Sequence, residues 1–246
     1  MDDTEYTNIA QNESNHFYYV SVHELVLGLI EQNFRSNKSQ LQILDAGCGT
    51  GSLAEKMCKL GTVRAVDMHD EALRYSSSRG INVTKASVES LPFPDKEFDL
   101  VTSIDVIYHK FVNDDVAALK EFFRVLKPGG VLVLRVPADP QLFSSHDEVV
   151  QTARRYLKSE LKSKLKAAGF KIQRLTYCQS PLYIPALVKA KLDRRKTDSH
   201  SSAIENESNV LNSTIRSVLA VENKCLLSGL NAPRGIGLIT VSNKPR

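Results

Sequence analysis

Three glycines, Gly47, Gly49 and Gly51, stand at alternate positions just after Asp45, in the stretch QILDAGCGTGSLAEKM. Glycine accepts a positive φ and has no Cβ, so a turn built this way lets a ligand approach its backbone closely. The turn lies between a short buried strand and a helix starting near Ser52, at the carboxyl end of the first strand, where open α/β sheets bind ligands. Free N–H groups at the start of that helix suit a polar group. The bland alternative is a tight turn that needs glycine for geometry alone, but three alternate glycines exceed that need. A second acid, Asp67, ends the second strand. A carboxylate there suits two ribose hydroxyls and disfavours a 2′-phosphate. The spacing G-x-G-x-G also departs from the dinucleotide pattern G-x-G-x-x-G.

Two histidines are candidates for proton transfer. His109 follows the fourth strand, and His146, in SSHDE, follows the fifth on a loop over the same end of the sheet. Each could act as a general base, worth about 10²–10⁴-fold in rate, or be a hydrogen-bonded structural histidine. Asp147 could orient a neighbour or cap the following helix, capping being the simpler role. Tyr18, Tyr19 and Tyr108 could line a cavity or fill the core. Arg154, Lys158, Lys162 and Lys166 recur every fourth residue; they form a solvated face or meet an anionic substrate or a membrane surface.

The elements that must hold these residues alternate along the chain. Strand-like runs are QILDAG, VRAVDM, INVTKASV, FDLVTSIDVIY, VLVLRVP, KIQRLTYC and IGLITVS. Helical spacing puts Val22, Leu25, Val26, Leu29 and Ile30 on one face of residues 20–34. Further helices are expected over 52–61, closed by Gly61; over 69–80, closed by Gly80; over 112–130, stopped by Pro128-Gly129-Gly130; over RRYLKSELKSKLKAAGF; and over 210–229. This alternation implies right-handed βαβ units and a mostly parallel sheet. Residues 193–209 are polar and free of aromatics, as in a mobile loop. The first 15 residues are expected to be loose or to act as a lid.

With 246 residues and 42% hydrophobic content, the chain can form one domain with a sizeable core. The net charge of +4 is too small to indicate nucleic acid, although residues 151–196 hold 13 Lys and Arg against Glu160 and Asp193. Cys48, Cys58, Cys178 and Cys225 show no CxxC spacing, so no metal site is expected, and they read as reduced thiols of a cytoplasmic protein. The acidic N-terminus is unlike a secretory signal, and no apolar run approaches the ~20 residues of a spanning helix.

The motif ILDAGCGTG resembles the first motif of class I S-adenosylmethionine-dependent methyltransferases. AVDMHDEAL, VESLPFPDKEFDLVTSIDVIYH and LKEFFRVLKPGGVLVLRVPA are similar to their later motifs, and VPADPQLFSSHDEVVQTARRYLKSELKSKLKAAGF and NHFYYVSVHELV to a small-molecule group within them. The likeness covers about residues 15–190 and, more weakly, the last 35. It implies a doubly wound, seven-stranded Rossmann-like sheet in the order 3-2-1-4-5-7-6 with the seventh strand antiparallel. A helical cap around 1–35, 138–156 and 179–215 would complete a single domain over 1–246. It also implies S-adenosylmethionine as cofactor. Gly47, Cys48 and Gly49 would border its methionine part, with Asp45 near the amino group, Asp67 on the ribose and Met68 on the adenine; Ile104 would also border it. Where the family usually has Gly-Asp-Ala-Glu, this chain has Ala86-Ser87-Val88-Glu89. Ser87 can accept a bond from the adenine amine without charge, which predicts weaker cofactor binding or compensation by the Val88 backbone. His109 would sit beside the methyl group, and His16, Tyr19, Tyr108 and Arg155 would meet the substrate.

The expected activity is methyl transfer to an O, N or C atom of a small molecule, a specialised metabolite or lipid-like compound. Peripheral membrane contact and a monomer or homodimer are compatible with this reading. A non-catalytic cofactor-binding protein and a nicotinamide-dependent oxidoreductase are the alternatives. Nucleic acid is disfavoured: Ser103-Ile104-Asp105-Val106 stands where base-amine methyltransferases usually carry Asn/Asp-Pro-Pro-Tyr/Phe.

Overall fold

The computed structural model describes residues 3–35, 40–193 and 208–246. Within these, β1 (Leu41–Ala46), β2 (Gly61–Asp67), β3 (Asn82–Lys85), β4 (Phe98–Ile104), β5 (Leu126–Pro137), β6 (Lys171–Cys178) and β7 (Gly237–Asn243) form one sheet. Its order is β3-β2-β1-β4-β5-β7-β6. The first five strands run parallel and β7 lies antiparallel between β5 and β6, as the resemblance implied.

Both faces are covered, which is why the central strands read as continuous aliphatic runs. On one face, α2 (Phe17–Phe34), α3 (Ser52–Met57) and α9 (Asn209–Leu227) supply Val26, Ile30, Met57 and Leu226 against Ile43, Leu100 and Val133. On the other, α5 (Asp115–Val125) and α7 (Lys158–Ala167) supply Leu119, Phe122, Leu161 and Leu165 against Leu44, Val101 and Leu132. Each such aliphatic contributes about 1.5–3 kcal/mol relative to exposure. The α2 positions picked out by helical spacing are all buried. The remaining helices, α1 (Asp3–Asn12), α4 (Asp70–Ser78), α6 (Ser145–Val149) and α8 (Tyr183–Asp193), complete the described chain.

Several boundaries differ from the sequence expectation. Of the first fifteen residues, the described ones, 3–15, are not loose: ten form α1, whose Tyr6 stacks on His69 at 4.5 Å and whose Thr7 accepts from the Tyr75 hydroxyl at 3.2 Å. Tertiary contacts, rather than propensity, hold that helix. Gly61 does not close α3, which ends at Met57 with Cys58 as its cap; it opens β2, where a Cβ would sit 2.1 Å from the Leu41 carbonyl oxygen. By contrast, Gly80 has φ +77° and follows α4 as a helix-closing glycine should.

The fifth helix stops at Val125, not at Gly130. Lys96 and Glu97 donate their backbone N–H groups to the Arg124 and Val125 carbonyls, and Leu126 turns extended to pair with Phe98. β4 ends at Ile104, short of the expected Tyr108, because Asp105 has φ +57°. The triplet Arg154-Arg155-Tyr156 precedes α7 instead of lying on it, so Arg154 leaves the basic stripe. The loop expected at 193–209 falls, over 194–207, outside the described residues.

Candidate active site

A cavity of about 740 Å³ opens at the carboxyl ends of β1, β2, β4 and β5. This is within the range of pockets that hold cofactors or drug-sized ligands. The residues expected to meet cofactor, substrate or the transferred proton line it, whereas Gly51 and the basic residues Arg154, Lys158, Lys162 and Lys166 do not.

The glycine turn forms one wall. Gly47 has φ +84°, and a Cβ there would lie 2.3 Å from Val106, so the turn and the loop after β4 touch directly. Gly49 has φ +54°, yet nothing lies within 4 Å of where its Cβ would be. The space beside Gly49 is therefore open to a ligand, as the cradle reading requires. The following helix has only six residues, so the turn backbone contributes more to this wall than a helix terminus does.

Two carboxylates face the turn. Asp45 is buried and accepts a 2.7 Å hydrogen bond from Thr102 Oγ1. Burial pushes its pKa up to about 7; the Thr102 bond opposes this, and nearby Asp67 adds to it. A buried, uncompensated acid at this position is suited to a cationic ligand group. Asp67 is fixed by the Gly49 N–H on one oxygen (2.9 Å) and the His69 N–H on the other (3.1 Å). Each oxygen keeps a lone pair for a ribose hydroxyl. Met68 is 54% exposed, offering an apolar platform, and Val88, which is buried, lines the same cavity. Ser87 Oγ accepts from the Glu89 N–H at 3.1 Å, which orients the hydroxyl but occupies one lone pair. Cys48 is buried beside Ser76, and burial drives its thiol pKa up, so it is no nucleophile. These residues fit an adenosyl-type cofactor.

The other half of the cavity is mostly aromatic and aliphatic. Tyr108 stacks on His109, with centroids 4.2 Å apart. The loop carrying them is joined to the segment after α6: Lys110 N–H donates to the Gln151 carbonyl, Ala153 N–H to the Tyr108 carbonyl, and His109 bridges Thr152. His146 sits on α6 itself. The Nδ1 atoms of both histidines are buried with no partner among the described residues, and burial lowers both pKa values. Both residues line the cavity, and a neutral imidazole in such a wall is suited to taking a proton.

Arg155, expected to meet substrate, also lines the cavity, but its guanidinium is engaged. Nε and Nη2 pair with the two oxygens of Asp147 at 2.9 and 3.0 Å, and Nη1 donates to the Ala138 carbonyl. Asp147 also closes a capping box with Ser144, combining the two roles considered for it. His16 caps α2, its Nδ1 accepting from the Tyr18 N–H, and its ring lies against Phe17 and Tyr19. Tyr19 lines the cavity beside it. Arg154 and Tyr156 turn to Asp115: the Tyr156 hydroxyl donates at 2.7 Å, Lys164 Nζ at 2.8 Å and Arg154 at 3.0 Å. Burial opposes the Asp115 charge, but the Lys164 and Tyr156 bonds outweigh it and hold the pKa below the usual carboxylate range.

Sequence reasoning missed two polar groups. Arg135, in the middle of β5, is 1% exposed and forms an ion pair with Asp105; it also donates to the Tyr18 hydroxyl at 2.9 Å and to Gln179. Gly237 of β7 leaves room for it, because a Cβ there would lie 2.6 Å from Arg135 Nη2. Glu13, at the end of α1, is buried with Arg79 (2.5 Å) and Thr50, which ties α1 over the cofactor side. A lone arginine inside VLVLRVP was the available signal for the first; the second had none.

Residues 44–134 match the family model described as a methyltransferase domain. Among curated relatives, the ubiquinone/menaquinone biosynthesis C-methyltransferases UbiE of Shewanella sediminis and Serratia proteamaculans are 33% and 34% identical over 113 residues. Each match covers 41% of this chain and 44% of the relative, so the chain aligns with less than half the length of these relatives. Solved structures share the fold at low identity. An S-adenosylmethionine-dependent methyltransferase from Mesorhizobium loti has TM-score 0.56 and 18% identity, covering 84% of this chain and 92% of that one. The Haemonchus contortus phosphoethanolamine N-methyltransferase 2 has 0.57 and 17%, covering 98% and 60%. The (4+2)-cyclase SpnF has 0.57 and 19%, covering 88% and 80%.

Proposed function

Starting from the methyltransferase domain matched at residues 44–134, we propose that this chain is a class I enzyme that moves a methyl group from S-adenosylmethionine to a small, largely apolar acceptor. The observation that carries the proposal is that one cavity joins the glycine turn, Asp45 and Asp67 to His109 and His146. The cofactor supplies a methyl group already activated on a sulfonium. The protein then has to place the acceptor in line with it, and orientation of this kind can supply about 7–11 kcal/mol.

In this reading Asp45 faces the amino group, Asp67 holds the ribose, and Gly47, Cys48 and Gly49 follow the methionine part. Met68, Ser87 and Val88 border the adenine, and Ile104 lies between the cofactor and the acceptor. Tyr19, Tyr108 and His16 wall the acceptor side. His109 or His146, neutral at pH 7, takes the proton of an O–H, N–H or activated C–H acceptor as the new bond forms. Arg155 acts through Asp147, which it orients, and not on the substrate itself. The aromatic and aliphatic wall suits a ring compound or a lipid-like molecule. The matched relatives' activity points to carbon as the acceptor atom and a quinone-type ring as a compound to test. The four unpaired cysteines suit a reducing compartment, and we assign the chain to the cytoplasm as a single domain.

The test is calorimetry with S-adenosylhomocysteine, followed by transfer of labelled methyl to a panel of phenols, quinols and heterocyclic amines. Binding with turnover on at least one aromatic acceptor supports the reading. Binding with no turnover across the panel favours a cofactor-binding protein without catalysis. A thermal shift with NAD and none with S-adenosylhomocysteine would mean a nicotinamide enzyme.

A further inference from the structure

On α8, Ile184, Val188 and Leu192 recur every fourth residue and are 63%, 52% and 51% exposed. Side chains at this spacing form one stripe along a helix. A surface helix normally turns such a stripe inward. Here Pro185, Ala186 and Lys189 of the same helix line the cavity, so the stripe runs beside the opening on the acceptor side. Phe111, also a cavity residue, is 59% exposed.

The charges beside the stripe are positive. Lys189 and Lys191 are exposed, as is Lys110 next to Phe111. Of the acids on or against α8, Asp193 is held by the N–H and Oγ of Ser145. Asp139 accepts from the Tyr183 hydroxyl and lies 3.7 Å from Arg234. Among the described residues, no helix is long and apolar enough to cross a membrane.

We infer that α8 docks on the surface of an anionic phospholipid bilayer, its aliphatic stripe entering the headgroup boundary and its lysines facing the lipid phosphates, so that the cavity takes its acceptor from the membrane. This rests on the reading of the cavity as an acceptor site and names the partner of that site. Aliphatic side chains flanked by lysine are the chemistry that holds peripheral proteins to lipid. Each lysine near an anionic surface strengthens binding about fivefold, an effect that added salt screens.

The experiment is co-sedimentation of the full chain with vesicles of phosphatidylcholine, with and without phosphatidylserine, over a salt series. The expected result is binding to the phosphatidylserine vesicles at low salt that weakens steeply as salt rises. The double variant V188S/L192S and the single variant K191E should reduce binding, by roughly tenfold or more and by fivefold or more respectively. All these positions are exposed and outside the cavity lining, and calorimetry with S-adenosylhomocysteine should be unchanged in each variant, which confirms folding. Retained cofactor binding with no vesicle binding by the unmodified chain at low salt overturns the inference and leaves the proposed activity standing. Variants that bind vesicles as the unmodified chain does also overturn it. So does a dimer in light scattering that the same substitutions dissociate, because the stripe would then be covered by a second copy.

Discussion

Replacing Asp45 by asparagine should stabilise the ligand-free protein while weakening its hold on the cofactor. Burial lifts the Asp45 carboxyl to about 7, against roughly 3.9 for an unperturbed aspartate. A raised folded-state pKa means that the protonated form is favoured in the fold. The stability it brings is fully present below about pH 4 and is lost as pH rises through 7. Three units at about 1.36 kcal/mol each give an upper figure near 4 kcal/mol. Asparagine keeps an oxygen for the 2.7 Å bond from Thr102 and carries no charge. The Asp45→Asn variant should therefore equal the unmodified protein at pH 4 and gain on the order of 2–4 kcal/mol by pH 8. Urea denaturation of both proteins at several pH values measures the difference. Calorimetry should show the cost: loss of a charge-assisted contact to the ligand's amino group is worth about 1.5–3 kcal/mol, a tenfold or greater loss of affinity. For the unmodified protein, cofactor binding should strengthen with pH up to about 7 and release a proton below it. A stability difference that does not change with pH, or unaltered cofactor affinity, would refute the reasoning.

Substituting alanine for His109 or His146 should lower kcat about 10²–10⁴-fold for whichever histidine takes the proton; full activity in both variants removes base catalysis by histidine. Because burial lowers both pKa values, the neutral imidazole persists in acid, and the acid limb of the kcat profile should fall below pH 6.5. Gly49→Ala places a methyl group in open space, so a strain of about 1–2 kcal/mol should be accompanied by a much larger loss of S-adenosylhomocysteine binding in calorimetry. Tyr156→Phe removes the hydroxyl that donates to Asp115 and should cost roughly 1–2 kcal/mol in urea denaturation, with cofactor binding retained.

The glycine turn and the two acids were legible because they depend on local geometry: a strand, a turn and a helix contiguous in sequence. The same holds for the buried face of α2 and for the strand order carried by the family resemblance. What was not legible came from distant partners. The RRY triplet reads as the opening of a basic helix, yet two of its residues serve Asp115, about 40 positions away, and the third serves Asp147. The helical character of α1 comes from Tyr6 on His69 and from Glu13 with Arg79, contacts that no window of neighbouring residues contains. The break at Asp105 is a backbone event inside an apolar run. Residue types and spacing named side chains that line the cavity but could not say which were already engaged, as Arg155 is.

The pairing of Arg135 with the bare backbone of Gly237 restricts how this fold can change over time. A side chain at position 237 would push into the guanidinium, and removing the guanidinium would leave Asp105 in the cavity wall without its counter-charge, held by the Tyr18 hydroxyl. Neither position can drift alone. Relatives that have altered one should have altered the other, so the two together would make a simple marker for sorting homologous chains that keep this cavity wall from those that have rebuilt it.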